Sequence, residues 1–290
     1  MILVVGATGQ LGGLIAKMLL DRGKPVRILV RSGSSYDHLV TAGAEPVSGD
    51  LKDADSLAAC CTEVQAIVST ANSALRGGDD TVETVDRRGN RNLIDAASAA
   101  GVRHFVFTSV LGASPDSPVP FVRAKGETEQ RLQDSGMSWT MLQPEAYMDI
   151  WFPMVVGGPA LAGQPVTLVG EGRRRHSFVA MRDVAEYALA TLGHEANGQT
   201  LTIGGPQPVS WWEVITAFNQ ELGHEVSVRT VQPGEPVPGL PDVMAQLLAA
   251  METYDTAIDS SGLASTYGIT ATSVADFVRG FVASNRQSVG

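Results

Sequence analysis

Short apolar runs alternate with helical patterns through the first half of this 290-residue chain. The runs are rich in valine, isoleucine and phenylalanine and show little polar alternation, which predicts strands covered on both faces. The candidate strands are Ile2–Val5, Val26–Val30, Glu45–Ser48, Ala66–Ser69, His104–Thr108 and Ser138–Leu142. The candidate helices between them are Gln10–Arg22, Tyr36–Ala42, Ala54–Cys61, Asp80–Ala100 and Phe121–Ser135. This alternation predicts an α/β fold built on a doubly wound parallel sheet.

The pattern is looser in the second half of the chain. We predict a helix over Met181–Leu192, with Asp183 as its cap, and a strand over Thr200–Ile203 that can return to the main sheet. A further helix over Ser210–Leu222 begins with a serine, and Glu213 follows at the spacing of a capping box.

Glycine and proline breaks after residue 144 mark a change in organisation. We therefore expect a first domain over residues 1–150. Residues 151–290 are expected to form mainly a small α/β lobe, part of which returns to the main sheet.

Composition and charge exclude several classes of function. The formal net charge of −10 repels phosphate backbones, so no nucleic-acid partner is expected. No apolar run approaches the roughly 20 residues of a membrane-spanning helix, and no export signal is visible, so we expect a cytoplasmic protein. Cys60 and Cys61 are adjacent and have no histidine nearby, which predicts packing residues and no metal site.

The turn after the first candidate strand reads Gly6-Ala7-Thr8-Gly9-Gln10-Leu11-Gly12. Gly6 permits a tight turn, Gly9 lets a pyrophosphate approach the backbone, and Gly12 lets the helix pack close to the strand. The helix N-terminus then offers free N–H groups and a positive dipole end to the phosphates. The loop predicts a dinucleotide-binding Rossmann domain over residues 1–150, with cofactor contacts from Gly6, Thr8, Gly9, Gln10, Leu11 and Gly12.

The end of the second strand predicts which dinucleotide is bound. Folds that bind NAD place an acidic residue about 20 residues beyond the glycines, and Arg31 stands there instead. An arginine can bind the 2′-phosphate of NADP(H) with a charge-assisted fork, although it can also be a solvated loop residue. Asp50, after the third strand, either faces the adenine or caps the helix that starts near Ala54.

The motifs together resemble the NmrA-like branch of the atypical short-chain dehydrogenase/reductases. The matching segments are the glycine loop, Arg31, Gly49-Asp50, Ser69-Thr70-Ala71, Thr108-Ser109, Leu142-Gln143-Pro144, Ser177-Phe178-Val179, Arg182-Asp183-Val184-Ala185 and Tyr267-Gly268-Ile269. The resemblance spans nearly the whole chain and implies a Rossmann fold, a small C-terminal substrate-binding lobe and an NADP(H) site that includes Thr70. It does not imply a particular substrate.

One departure from the wider superfamily concerns the catalytic residues. That superfamily uses a tyrosine acid and a lysine four residues later, with a serine upstream; here Lys125 and Ser109 match, but Phe121 replaces the tyrosine. The resemblance implies that Lys125 holds the nicotinamide ribose. The alternative is a surface lysine that pairs with Glu129.

Four residues are candidates for the substrate pocket and the chemistry in it. Phe121 would form an apolar wall, and Ser109 would bond a substrate oxygen. Tyr147 follows the sixth strand and is either a proton donor at the crevice or a packing residue. His176 either lines the pocket or has a structural role.

These residues support three hypotheses. The first is an NADPH-dependent reductase of a small aromatic or quinone-like compound, because hydride transfer to such a compound needs little acid from the protein. The second is a redox sensor that binds NADP(H) without turnover. The third is a sugar-nucleotide epimerase or tailoring enzyme, which the missing tyrosine disfavours. The sequence specifies neither the oligomeric state nor a protein partner.

Overall fold

The computed structural model describes residues 1–74, 76–193 and 197–287, whose strands form one seven-stranded and one two-stranded sheet. The strands are β1 (Ile2–Val5), β2 (Val26–Val30), β3 (Glu45–Ser48), β4 (Ala66–Ser69), β5 (His104–Thr108), β6 (Ser138–Pro144), β7 (Val166–Val169), β8 (Gln199–Ile203) and β9 (Val228–Val231). The helices are α1 (Gln10–Asp21), α2 (Asp37–Thr41), α3 (Ala54–Cys61), α4 (Asn90–Ala99), α5 (Pro120–Gln133), α6 (Met148–Phe152), α7 (Gly158–Leu161), α8 (Met181–Gly193), α9 (Trp211–Leu222), α10 (Asp242–Met251), α11 (Ser261–Tyr267) and α12 (Val274–Gln287). Two π-helical segments are Val82–Gly89 and Pro153–Gly157.

The large sheet has the strand order β3-β2-β1-β4-β5-β6-β8, and the neighbours from β3 to β6 pair in parallel. The order reverses between β1 and β4, so the crevice at their carboxyl ends is the place where such sheets bind ligands. Val5 lies opposite Leu29 on one side and Ser69 on the other, which brings these strand ends level. The predicted doubly wound sheet is confirmed.

Two compact units divide the chain. The first comprises Met1–Pro144 with Val184–Thr202, and the second comprises Glu145–Asp183 with the described residues from Ile203 onwards. In the first unit, the apolar faces of α3 and α4 pack on the buried side chains of β1, β4 and β5. Cys60 and Cys61 are free thiols inside this core, as predicted.

The segment predicted as one helix over Asp80–Ala100 begins later and has two parts. Thr81 accepts the Thr84 N–H at 3.1 Å and returns its own N–H to Thr84 Oγ1 at 2.9 Å, which caps the π-helix Val82–Gly89. The π-helix then continues into α4. Because the cap lies at Thr81, Asp80 is outside the helix.

The second unit has its own core around Phe152, Phe178 and Trp211, on which α9 and α12 pack. The capping box predicted at Ser210 and Glu213 is present at the start of α9. None of the helices described is long and apolar enough to cross a membrane.

Asp183 does not cap α8, so that prediction is wrong. Its carboxylate accepts the Thr272 N–H at 2.7 Å and the Thr272 hydroxyl at 2.6 Å. Met181 is the first residue of α8, and its backbone N–H donates to the Asp149 carboxylate at 2.7 Å. Burial raises the pKa of both carboxyl groups, and these hydrogen bonds favour their ionised forms.

The close packing of α1 leads to a stability prediction. A Cβ added at Gly12 would lie 2.2 Å from the Gly6 carbonyl oxygen, so Gly12→Ala has to push α1 away from β1. We expect the free energy of unfolding to fall by about 1–3 kcal/mol, measured by chemical denaturation.

Gly280 in α12 is the matched control, because a Cβ there meets nothing within 4 Å. Gly280→Ala should raise the free energy of unfolding by roughly 0.5–1 kcal/mol. A Gly12→Ala variant as stable as the parent protein would contradict the packing described here.

Candidate functional site

The glycine loop joins β1 to α1 and is held by its own backbone. Gly6 has a φ of +89°, a left-handed conformation that suits glycine, and its carbonyl accepts the Gly9 N–H at 2.9 Å. A Cβ at Gly6 would lie 2.6 Å from Thr70 Oγ1 and 3.0 Å from the Ala71 nitrogen. The loop therefore lies against the residues that follow β4.

The N-terminus of α1 is open. Gly9 is the N-cap residue and has no side chain with which to cap the helix, so the N–H groups of the first turn remain available. Thr8 and Gln10 are exposed, whereas the Leu11 side chain is buried and can offer only backbone to a ligand. Free N–H groups at a positive helix end fit a pyrophosphate.

Thr70 lies directly behind this loop. Its N–H and its hydroxyl both donate to the Val5 carbonyl, at 2.9 and 3.3 Å. Its role as a cofactor ligand stays a prediction.

A pocket with an empty volume of about 450 Å³ lies beside the loop, within the first unit. It has apolar walls from Leu29, Leu51 and Val85 and charged groups from Arg31, Asp50, Arg76 and Asp80. Apolar walls suit the flat face of an adenine, and the cations suit a phosphate on its ribose. The residues present therefore fit the adenosine end of a dinucleotide, and we call this pocket the adenosine pocket.

Arg31 belongs to a network of charges at this pocket. Its Nη1 lies 2.8 and 3.0 Å from the two Asp80 carboxylate oxygens and 4.0 Å from Asp50. Lys52 Nζ donates to the same Asp80 carboxylate at 2.6 Å. The hydrogen bond from Lys52, followed by that from Arg31, holds the pKa of Asp80 below its ordinary value.

The structure contradicts one of the two alternatives for Asp50, and the contact with adenine stays a prediction. Its carboxylate accepts the Lys52 N–H at 2.9 Å, whereas Asp53 occupies the N-cap position of α3. Asp50 therefore does not cap that helix, and it lines the pocket beside Arg31.

Lys125 is a buried cation on α5, with 2% of the residue exposed. Its ammonium donates to the Thr108 carbonyl at 2.9 Å and lies 4.6 and 5.6 Å from the ring centroids of Phe107 and Phe121. Burial lowers the pKa of Lys125 to about 8, although the Asp86 and Glu129 carboxylates act in the opposite direction. The surface-lysine alternative is wrong, because Lys125 is inside the first unit.

Unpaired hydroxyl groups lie on the last residue of β5, which bonds this lysine, and on the residue after it. The Oγ1 of Thr108 and the Oγ of Ser109 are buried and have no hydrogen-bond partner in the part of the chain that is described. Buried polar atoms are usually paired, so such atoms at the carboxyl edge of a sheet indicate a place for a ligand or water. Phe121 lies above the lysine and presents an apolar ring.

Asp86 is a buried ionisable residue that the sequence analysis did not identify. Asp86 is fully buried in the π-helix and accepts both the N–H and the hydroxyl of Ser73. The side chains of Asn90 and Thr128 donate to its backbone carbonyl at 3.0 and 3.2 Å. Asp86 and Asn90 stand at helical spacing in line with Leu93, and these polar residues on an apolar face were the available signal.

Tyr147 and His176 both belong to the second unit. The Tyr147 hydroxyl is buried without a partner among the described residues, and burial together with the Asp149 carboxylate raises its pKa. The His176 ring contacts Thr256 Oγ1 at 3.2 Å and the Met251 carbonyl at 3.1 Å. Both ring nitrogens are thus engaged within this unit, which favours the structural interpretation of His176.

Across the ranges 1–74, 76–193 and 197–287, no three His, Cys, Asp or Glu side chains are placed to hold a metal ion. The first unit brings together the glycine loop, the charge network at Arg31 and the buried Lys125.

A family model and several known proteins match this chain over most of its length. A family model described as NAD(P)H-binding matches residues 6–195. An NAD(P)H azoreductase from Xenophilus azovorans is 34% identical over 78% of this chain and 75% of its own length. A (4-alkanoyl-5-oxo-2,5-dihydrofuran-3-yl)methyl phosphate reductase from Streptomyces griseus is 34% identical over 77% and 74%. The photosystem II assembly factor Ycf39 from Cyanophora paradoxa is 32% identical over 79% and 71%.

Solved structures share the fold. The NADPH-dependent quinone oxidoreductase QOR2 from Escherichia coli, complexed with NADPH, has a TM-score of 0.80 at 23% identity and covers 97% of this chain and 100% of its own. The Citrobacter sp. triphenylmethane reductase complexed with NADP(H) has a TM-score of 0.81 at 23% identity, with 96% and 99% covered. The matched model and relatives confirm the resemblance predicted from the motifs, and the chain belongs to the NAD(P)H-binding family.

Proposed function

We propose that this chain is an NADPH-dependent reductase that reduces a flat, aromatic or quinone-like compound by direct hydride transfer. Two of the relatives are named reductases, and both match more than two thirds of this chain. The open start of α1 and the charged pocket beside it supply the two parts of a dinucleotide site that the fold requires.

The position of Arg31 is the basis for the proposed preference for NADPH over NADH. Its guanidinium lines the adenosine pocket at the end of β2, where an NAD-specific site would carry an acid. Lys52 and Arg76 bring two further positive charges to the same place. A 2′-phosphate would bind these cations with charge-assisted hydrogen bonds, and a 2′-hydroxyl would gain much less.

The observation that carries the proposed activity is the buried ammonium of Lys125. Only one of its three hydrogens has a described acceptor, the Thr108 carbonyl, so donors remain for the hydroxyls of a ribose. The Asp86 and Glu129 carboxylates raise the pKa of Lys125 only in part, and neither forms a direct ion pair with it among the described residues. A buried cation without a direct ion pair is costly to keep in a fold, which supports a function instead of a packing role.

When bound, the nicotinamide supplies a hydride from its C4 atom. Lys125 would hold the adjoining ribose and contribute positive charge beside the reacting atoms. The unpaired Ser109 hydroxyl would donate to an oxygen of the substrate. Phe121 would exclude water and offer a ring on which a flat substrate can stack.

Water is the proton donor that we propose. Phe121 has no proton to give, and a Tyr147 phenol with a raised pKa is a weak acid at neutral pH. Flat acceptors such as quinones need little acid at the moment of hydride transfer, so the absence of a tyrosine at position 121 is compatible with reduction.

A second candidate function is cofactor binding without turnover. The same phenylalanine favours it, because a binding protein needs no acid, and some relatives are named photosystem II assembly factors. An epimerase is the third candidate, because position 121 carries a phenylalanine in place of the tyrosine that such enzymes use.

The first prediction of this proposal concerns cofactor preference. NADPH should raise the melting temperature of the protein more than NADH at equal concentration, because a ligand at 100 times its Kd stabilises by about 2.7 kcal/mol. Arg31→Ala should narrow this difference, as measured by thermal unfolding.

Arg173 provides the control, because its side chain is 76% exposed. Arg173→Ala removes the same charge and should keep the parent preference. Equal shifts from both cofactors in the parent protein would contradict the NADP(H) assignment.

The second prediction concerns Lys125→Met, which keeps the length of the side chain and removes the charge. We expect kcat/KM with a quinone acceptor to fall about 10²-fold, as when one preorganised donor is lost from an active site. The melting temperature should not fall, since the variant no longer buries a charge. Lys24→Met, at an exposed lysine, is the control and should retain parent activity.

The pH profile tests the same residue independently. Because only the protonated lysine is charged, kcat/KM of the parent should decline as pH rises through about 8, and Lys125→Met should lack this decline. In the parent, stability relative to Lys125→Met should improve between that pH and the unfolded pKa near 10.5, because the unfolded chain binds the extra proton there. Unchanged turnover and profile in Lys125→Met would contradict the proposed role.

A further inference from the structure

Three cations converge on one carboxylate at the adenosine pocket. Asp80 is 2.8 Å from Arg31 Nη1, 2.6 Å from Lys52 Nζ and 3.9 Å from Arg76 Nη1. The Asp80 side chain is 11% exposed, which is less than any of the three cations. Asp80 is therefore the anion around which this part of the pocket is organised.

The position of Asp80 is produced by the chain on both sides of it. Its N–H donates to the Gly77 carbonyl at 3.2 Å, and the Thr81 cap begins the π-helix immediately after it. Gly77 and Gly78 have φ values of +77° and +60°, which lets the chain turn sharply before the carboxylate. The carboxylate thus enters the pocket from a segment distant in sequence from Arg31.

We propose that Asp80 is a specificity-determining residue, an internal anion that competes with the 2′-phosphate of NADPH for Arg31 and Lys52. The inference rests on the proposed function, because it requires a nicotinamide dinucleotide in this pocket. A phosphate that approaches these cations has to replace the carboxylate, since two anions cannot share the same donors without repulsion. The ion pairs with Asp80 are lost as the pairs with the phosphate form.

NADH would interact with Asp80 differently from NADPH, because it carries a 2′-hydroxyl in place of the 2′-phosphate. Its 2′-hydroxyl is a hydrogen-bond donor, and a carboxylate in this place can accept from it, as the acid at the end of the second strand does in NAD-binding folds. With Asp80 present, the cations need not be displaced when NADH binds. Asp80 therefore weakens the preference for NADPH and leaves the pocket usable by both cofactors.

The test compares Asp80→Asn with Asp79→Asn by isothermal titration of NADPH and NADH. Both substitutions remove one negative charge, but Asp79 is exposed and has no ion pair with the described residues. Asp80→Asn should tighten NADPH binding roughly tenfold, because the phosphate no longer competes with an ion-paired carboxylate. NADH binding should stay the same or weaken, and Asp79→Asn should leave the ratio of the two Kd values unchanged.

Adenosine 2′,5′-bisphosphate and 5′-AMP extend the test to the adenosine end alone. The bisphosphate should gain affinity for Asp80→Asn by the same factor as NADPH, and 5′-AMP should not. If Asp80→Asn does not fold, as judged by circular dichroism, the same titrations are made with Asp80→Ser, whose hydroxyl can still bond the cations.

The outcomes separate the two proposals. A parent protein that binds neither NADPH nor NADH would refute the proposed function itself. Suppose that the parent binds both cofactors. If Asp80→Asn then leaves the ratio of the NADPH and NADH Kd values unchanged, or shifts it in favour of NADH, the proposed competition is wrong. Asp80 would then be a residue that positions Arg31.

Discussion

The close contact between α1 and β1 is the constraint on which the candidate site depends. Gly12 approaches the Gly6 carbonyl so closely that no Cβ fits between them. This contact holds the uncapped start of α1 at the carboxyl edge of the sheet, where the strand order reverses. The adenosine pocket and the ends of β4 and β5 are arranged around that edge, so their geometry follows from a contact of backbone on backbone.

Charge is distributed unevenly within the first unit. At one place, Arg31 and Lys52 both form ion pairs with the Asp80 carboxylate. At another, Lys125 is buried with a single described hydrogen bond, near hydroxyls that have none. A fold selected only for stability would pair or remove such groups. We propose that the unpaired groups at this edge bind the cofactor and the substrate.

The sequence predicted the parts of this molecule that depend on local pattern. Five of the first six strands have the predicted bounds, and β6 extends two residues further. Gly6, Gly9 and Gly12 were identified because strand, turn and helix signals agree at one place. Local pattern was insufficient for Asp183, whose carboxylate bonds Thr272 far along the chain instead of its own helix.

The charge network at Arg31 also could not be predicted from local sequence pattern. Arg31 was predicted from its distance to the glycines, but Asp80 reaches it across 49 residues of sequence. No periodicity records such a contact, because it arises only when β2 and the segment after β4 meet at the sheet edge. Asp86 was missed for a related reason, since its partner Ser73 lies outside its own helix.

The most direct test of the central claim is turnover by the parent protein. NADPH is incubated anaerobically with a panel of quinones and azo dyes, and both the loss of nicotinamide absorbance and the reduced product are measured. We predict that at least one flat acceptor is reduced, with one NADPH oxidised for each pair of electrons transferred. Tight binding of NADPH without oxidation by any member of the panel would contradict a reductase and favour a protein that only binds its cofactor.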